Sequence, residues 1–550
     1  MLKQVPCVDI MKLRNLCLLF ILILAFALRI YHIGLNPPGL YWDEVSIGYN
    51  AWSIAKTGAD EYGKKLPIFF EAFQEYKLPG YVYSLVPWVT LFGPNSLSVR
   101  LPSVLYGLGA VFLLYLISLR LFKSKVALLS SLLLATSPWH IQFSRTGFEA
   151  NAALTVFLAG LYFLISDLKK SRWSLWGILF ISCSVYFYNA YRVTVPLFLI
   201  FVWFLYRKIP FSKKQILCLI VIILLTWFPL ISTSSSQSPL NRLSQVSVIG
   251  NPDLLSKWVN SHPVQPKNVI ERILNHRYLM YTETITTNYL NNFAPSFFLG
   301  GDGNSRHSVS QVGLIGPLSL ILAVVGWLVL IKRKNSFRWL ITGWILISPI
   351  PSAISLPSPH ALRSLGLVWA VLLVAAYGLV FLIQSFQNYF SHALICLGVS
   401  AIFIYSLYFY LSRYYFIYPT ESYSKWAFEY EEVFRKISSY GNYSNVYISG
   451  KYWRPYIFAL FYLRFPPTEY QKNPSHNHFG NMYFGYADYD SSDPYYHYNE
   501  MTDILTKLRK ESDNLLILTP EEVIETDSTI DTIKGLDGKP VINVIRTQSK

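Results

Sequence analysis

The sequence has 550 residues, of which 53% are apolar, 17% aromatic and only 14% charged, against about 25% charged in ordinary soluble domains. That balance excludes a single water-soluble globule, and so much Phe, Tyr, Leu and Ile excludes a disordered chain. An α-helical protein with many membrane crossings remains. The net charge of +16 does not call for nucleic acid, because nearly all of it sits in short segments beside apolar runs. These segments hold Lys3, Lys12 and Arg14; Arg120, Lys123 and Lys125; Lys169, Lys170 and Arg172; Arg207, Lys208, Lys213 and Lys214; and Lys332, Arg333, Lys334 and Arg338. Against these 17 cations stand two acids, Asp9 and Asp167, as the positive-inside rule expects of cytoplasmic loops. The five cysteines show no paired spacing, so neither a disulfide framework nor a cysteine metal site is expected.

Apolar runs long enough to cross a hydrocarbon core of about 30 Å lie near 14–32, 99–120, 126–143, 150–166, 173–189, 191–206, 215–232, 312–331, 339–356, 362–383 and 391–412. These predict about eleven transmembrane helices. With a cytoplasmic N-terminus the basic loops fall inside, and the long segments 33–98, 233–311 and 413–550 fall outside. The expected location is the plasma (inner) membrane, multi-pass. Ala25-Phe26-Ala27 loosely matches a signal-peptidase site, but the apolar run continues through Leu28 and Ile30, which favours an uncleaved anchor. The run 80–92 is short and interrupted by Pro87, and reads as interfacial.

Residues 1–412 thus form the membrane domain, and 413–550 a small extracytoplasmic α/β domain. The tail holds 15 Lys or Arg and 18 Asp or Glu, unlike the basic loops. Its runs NVYIS, NLLILT and PVINVI predict strands; 425–438 and 503–510 predict helices. The segment 479–500 is rich in Tyr and reads as a loop suited either to sugar faces or to lipid headgroups.

The first outer loop concentrates Asp43, Glu44, Asp60, Glu61, Glu71, Glu75 and Lys77 directly after the first span. Asp43 and Glu44 stand at the start of a predicted helix that runs to about Lys56 and stops at Gly58. The plainer alternative makes Asp43 an N-cap and Glu44 an acid suited to the helix dipole. Asp60 and Glu61 follow a turn.

The segments Trp42-Asp43-Glu44, Thr57-Gly58-Ala59-Asp60-Glu61, Tyr76-Lys77-Leu78-Pro79-Gly80, Phe92-Gly93 and Ser98-Val99-Arg100-Leu101-Pro102-Ser103 together resemble the first-loop signature of family 39 glycosyltransferases. That family includes protein O-mannosyltransferases and lipid A aminoarabinose transferases within the GT-C superfamily. The resemblance is good over 35–130 and looser beyond. It implies transfer of a sugar from a polyprenyl-phosphate donor to a lipid, glycan or protein acceptor on the outer face. It also implies Asp43 as base, with Glu44 as its acidic partner, and Lys77 on the donor phosphate. Leu78-Pro79-Gly80 replaces the Pro-Pro found after the cation in many members.

The residue chemistry is compatible with this. Glycosyl transfer needs a carboxylate to take the acceptor's proton, a transition state with oxocarbenium character tolerates nearby negative charge, and the departing phosphate needs fixed cations. Arg100, Arg363 and Arg306, at outer span ends or in outer loops, are further candidates to bind the phosphate. Tyr49, Asp60, Glu61, His307 and His360 are candidate substrate contacts. Gly300-Gly301-Asp302-Gly303-Asn304 reads as a turn from which Asp302 can reach His307 or a ligand. His140 and His262 have no partner at ligand spacing, so no metal site is predicted, although a divalent ion is compatible with the chemistry. Asp488-Tyr489-Asp490 is an isolated D-x-D match. The competing classes are a flippase for a lipid-linked sugar, which would need ionisable residues inside its spans, and a metal-dependent oligosaccharyltransferase-type enzyme.

Overall fold

The structure, a computed structural model, describes residues 7–73, 75–170, 172–231, 246–261, 276–385, 389–485 and 498–548. Asp488-Tyr489-Asp490 and His262 lie outside the described residues. The chain divides into two compact units.

The first unit comprises the chain up to Arg29 together with Val104–Ser144 and Glu149–Leu411. Its apolar runs are helical: α1 (Cys7–Ile30) leads into it, and the two helices that follow, Trp42–Thr57 and Pro79–Phe92, belong to the other unit. Six described helices are long and apolar enough to cross a membrane: Met11–Ile30, Ser96–Leu121, Glu149–Leu168, Lys213–Leu230, Leu367–Ser385 and His392–Lys425. A seventh candidate is the pair Ser124–Thr136 and Pro138–Ser144, bent by 60°. The bend has a local cause, since Ser137 precedes a proline and is driven to extended backbone, with ψ 123°. Three shorter apolar helices follow the same pattern, at Leu175–Tyr186, Tyr191–Tyr206 and Pro317–Lys332. The eleven runs read from sequence are therefore all helical, but fewer are long enough to cross alone. Run 339–356, for instance, divides into Arg338–Ile347 and Ile350–Ala353 around Pro349. This is a multi-pass membrane protein.

Glycines let these helices touch backbone to backbone, as membrane helices require when lipid is as apolar as leucine. A Cβ on Gly326 would overlap the Val374 carbonyl oxygen, and one on Gly378 that of Leu322, so Pro317–Lys332 and Leu367–Ser385 pack closely. His140 is buried, with Nδ1 2.8 Å from Nη2 of Arg29.

The second unit takes in Ile30–Ser103, Arg145–Phe148 and Ser412–Lys550, so the loop after the first span and the tail are one compact body. The loop contributes α2 (Trp42–Thr57), the hairpin of β1 (Phe70–Ala72) and β2 (Glu75–Lys77), and α3 (Pro79–Phe92). The short run 80–92 is thus α3, 14 residues long with Pro87 inside.

The tail builds a six-stranded sheet in the order β4-β5-β3-β6-β8-β7, from β3 (Asn445–Ile448), β4 (His478–Phe479), β5 (Met482–Phe484), β6 (Asn514–Leu518), β7 (Thr529–Lys534) and β8 (Pro540–Arg546). All three strands read from sequence are present. Central β3 runs parallel to β5 and β6, and β8 closes antiparallel on β6. The unbroken apolar run Leu515–Leu518 is fully buried, as expected of a strand covered on both faces. Helices Pro455–Tyr462 and Tyr498–Lys510 lie in the connections from β3 to β4 and from β5 to β6.

Candidate active site

The start of α2 positions the acids. Tyr41 is its N-cap, in extended backbone at ψ 151°, so Asp43 falls at the second helical position and Glu44 at the third. Glu44 Oε2 reaches back to accept the Tyr41 amide at 3.0 Å, the reciprocal half of a capping box. Gly58, with φ 71°, ends the helix in the left-handed conformation, its N–H bonded to Ile54, as the sequence predicts.

These two neighbouring acids have different surroundings. Asp43 retains 26% side-chain exposure and its Oδ1 accepts from Lys77 Nζ at 2.5 Å; Lys77 also lies 3.5 Å from Glu75 Oε1. Lys77 is delivered by the end of β2, paired in register with Phe70. Leu78 is held extended by the following proline, and Pro79 begins α3 at a position where its missing N–H is not needed. Leu-Pro-Gly after the cation is thus a strand-to-helix junction.

Glu44 has no exposed surface, nor has Arg100. Arg100 Nε and Nη2 donate to Glu44 at 3.0 and 3.2 Å, Nη1 donates to the carbonyls of Ile33 and Pro37 at 3.0 and 2.7 Å, and Nη2 also donates to the Gly39 carbonyl. All five guanidinium N–H groups are engaged. Glu44 Oε1 further accepts the Gly147 amide at 2.7 Å. A side chain at 147 would come within 2.9 Å of Val99 Cγ1 and 3.2 Å of Glu44 Cγ. Glu44, expected as a catalytic residue, and Arg100, expected to bind phosphate, are thus both bonded within the protein and tie the start of α2 to its surroundings.

Two further loop acids, Asp60 and Glu61, are bonded within the protein as well. Asp60 Oδ1 accepts the amides of Tyr62 and Lys64, fixing the turn. Glu61 is wholly buried, its Oε1 accepting from Asn50 Nδ2 at 3.1 Å and its amide donating to Asn50 Oδ1 at 3.0 Å. Burial pushes the Glu61 carboxyl up to about 8; the Asn50 hydrogen bond opposes this, while Asp60 and Glu71 add to it. Tyr49 is buried and donates to the Phe465 carbonyl. Each of these three expected substrate contacts is bonded to groups within the protein.

Beside Asp43 and Lys77 stands an aromatic wall that the sequence did not suggest. Trp42 and Trp453 meet edge to face at 5.1 Å, and Tyr41 lies 5.7 Å from Trp453. The Arg454 guanidinium stacks over Phe73 at 4.5 Å and Trp42 at 5.5 Å. Trp453 Nε1 donates to Glu429 Oε1 at 3.0 Å, and burial pushes Glu429 up to about 7. The tail contributes Trp453 and Arg454 from the turn after β3.

The other candidates belong to the first unit. His307 Nδ1 and Asp302 Oδ2 are 2.7 Å apart, the contact the turn suggested, and the rings of His307 and His360 lie 4.7 Å apart. Arg306 Nε is 3.5 Å from Asn304 Oδ1, and Arg363 Nη1 donates to Ser355 Oγ and to the carbonyls of Leu356 and Pro357. The same unit contains a cavity of about 650 Å³ lined mainly by apolar side chains, among them Leu129, Leu133, Leu322, Leu372, Val399 and Phe403.

Comparison with known proteins bears on the fold and on part of the chain. Residues 78–232 match the family model described as dolichyl-phosphate-mannose-protein mannosyltransferase. The structure is similar to ArnT of Cupriavidus metallidurans in its apo state, with a TM-score of 0.56 at 12% identity over 98% of each chain. Similarity to the same ArnT bound to undecaprenyl phosphate gives 0.53 at 12% identity over 96% of this chain and 97% of that one. The oligosaccharyltransferase AglB of Archaeoglobus fulgidus, in complex with an inhibitory peptide and a dolichol-phosphate, gives 0.50 at 15% identity over 82% of this chain. The chain spans 63% of the length of that AglB. A search of curated proteins by sequence gives no match. The family segment and the fold point the same way: this chain is a multi-pass membrane protein that shares the fold of ArnT and carries, over residues 78–232, a segment matching the mannosyltransferase family model.

Proposed function

We propose that the enzyme transfers a glycosyl group, with inversion, from a polyprenyl-phosphate sugar to a hydroxyl of a lipid, glycan or protein acceptor on the extracytoplasmic face. The carrying observation is the Asp43–Lys77 pair at the start of α2, in which the carboxylate is partly open while its neighbour Glu44 is sealed. Asp43 takes the acceptor hydroxyl's proton as the oxygen bonds to the anomeric carbon. The bond from that carbon to the phosphate oxygen breaks, its electron pair leaves with the lipid phosphate, and Lys77 stabilises the developing charge. Buried Glu44 and Arg100 hold Asp43 in place, and the faces of Trp42 and Trp453 offer a platform for the sugar ring.

The apolar cavity of about 650 Å³ suits an isoprenoid chain. ArnT with undecaprenyl phosphate and AglB with dolichol-phosphate supply the precedent for that class of lipid. Arg306 and Arg363 are assigned to anionic headgroups in the first unit. The cytoplasmic N-terminus rests on the basic loops, which leaves the first loop and the tail outside. Membranes containing the enzyme are to be incubated with a panel of radiolabelled polyprenyl-phosphate sugars. Label moving to a membrane or protein acceptor from one of them supports the assignment; transfer from sugar nucleotides alone contradicts it.

A further inference from the structure

The first unit brings together three side chains that neither the reaction above nor the packing of the helices requires. Asp302, His307 and His360 each present one ligand-type atom, and these atoms lie within 4.8 Å of one another. They form the metal-compatible group among the described residues. Asp302 and His307 share a contact at 2.7 Å, with side chains only 3% and 5% exposed, and the His360 ring lies 4.7 Å from that of His307. An Asp–His hydrogen bond would by itself staple the 302–307 turn. It gives no reason for a second imidazole to approach the same carboxylate.

We propose that Asp302, His307 and His360 form a binding site for a divalent cation of the zinc class. Two imidazoles and one carboxylate are the donor set that such an ion accepts, at about 2.0–2.2 Å from each ligand atom, and three protein ligands leave a fourth position open for water or an anionic oxygen. Moving from the present spacing to ligand atoms about 3.4 Å apart around a tetrahedral ion needs side-chain shifts on the order of 1 Å.

The scaffold is already arranged for this. Asp302 Oδ2 accepts the Ala361 amide at 2.8 Å and its Oδ1 accepts the Asn304 amide at 3.1 Å, while the His360 amide donates to Ser352 Oγ at 2.9 Å. Backbone amides thus hold the Asp302 carboxylate, and the Ser352 hydroxyl holds the backbone of His360, outer contacts of the kind usual around metal sites. The basic neighbour Arg363 has its Nη1 turned onto Ser355 and two carbonyls. Spacing along the chain conceals the site, because 52 residues lie between the two histidines.

The inference is independent of the role given to Asp43. To test it, the full-length protein is purified in detergent, stripped with EDTA, dialysed against Zn²⁺ and analysed by elemental mass spectrometry, with Co²⁺ as a spectroscopic substitute. The wild type and Asp43→Asn should each retain about one Zn²⁺ per chain and develop visible ligand-field absorption with Co²⁺. Zn²⁺ should also raise their melting temperature. Asp302→Asn and His360→Ala, checked by monodisperse elution, should bind at least about tenfold more weakly and lose the Zn²⁺-dependent rise in melting temperature. Wild-type protein that retains no stoichiometric metal, or equal retention by the wild type and both variants, would overturn the proposal.

Discussion

Two ion pairs share the first turn of one helix, and they differ in what surrounds them. Glu44 and Arg100 are sealed, each polar atom matched by a partner within the protein, whereas Asp43, which pairs with Lys77, keeps 26% of its side chain exposed. A buried, fully satisfied pair resists change and offers nothing to a ligand. A pair with one partly exposed carboxylate leaves that carboxylate accessible to a substrate. Adjacent acids in the sequence can thus divide the work, with the buried one holding the exposed one in position.

The largest expected effects come from breaking the sealed pair. Glu44→Ala should destabilise the second unit by about 3–5 kcal/mol, because a fully bonded arginine loses its counter-charge inside the protein. Arg100→Lys should do nearly as much harm, since an ammonium cannot reproduce a five-bond fork. Loss of folded protein in detergent melting experiments is the readout, and near-wild-type melting of either variant would erase the distinction between the pairs. Lys77→Met should fold normally but lower kcat/KM by about 10²-fold, the loss expected when a donor to the leaving-group charge is removed. Trp453→Ala should be milder, weakening sugar binding by about 1 kcal/mol and raising KM more than it lowers kcat.

A further effect sharpens the comparison through pH. Burial raises the Glu61 carboxyl to about 8 in the folded state. Between its unfolded value near 4.3 and about 8 the unfolded chain releases a proton that the folded one keeps, so stability falls as pH rises through that window. Glu61→Gln should remove this decline, leaving melting temperatures higher than wild type near pH 8 and little changed near pH 4. A steeper decline in the variant would contradict a protonated, structural Glu61.

Much of this was legible from residue pattern. Length and hydropathy marked each apolar run, Gly58 marked the end of α2, and Asp43 and Lys77 stood out as opposite charges in a short loop just outside the first span. What escaped depended on distant segments. Whether Arg100 faces a ligand or the interior is decided by the carbonyls of Ile33, Pro37 and Gly39, whose convergence has no local signal. Trp453 and Arg454 reach the wall beside Asp43 because a tail sheet places the turn after β3 there, and no motif in the tail announces it. His360 likewise joins Asp302 and His307 only through the folding of the first unit.

The most direct test is glycosyl transfer by Asp43→Asn in native membranes, compared with wild type at equal amounts of folded protein. A neutral isostere keeps the shape of the helix start but cannot take the acceptor's proton. The expected result is a loss of about 10²–10⁴-fold in rate with an unchanged melting temperature; transfer within a few-fold of wild type would show that the proton goes elsewhere.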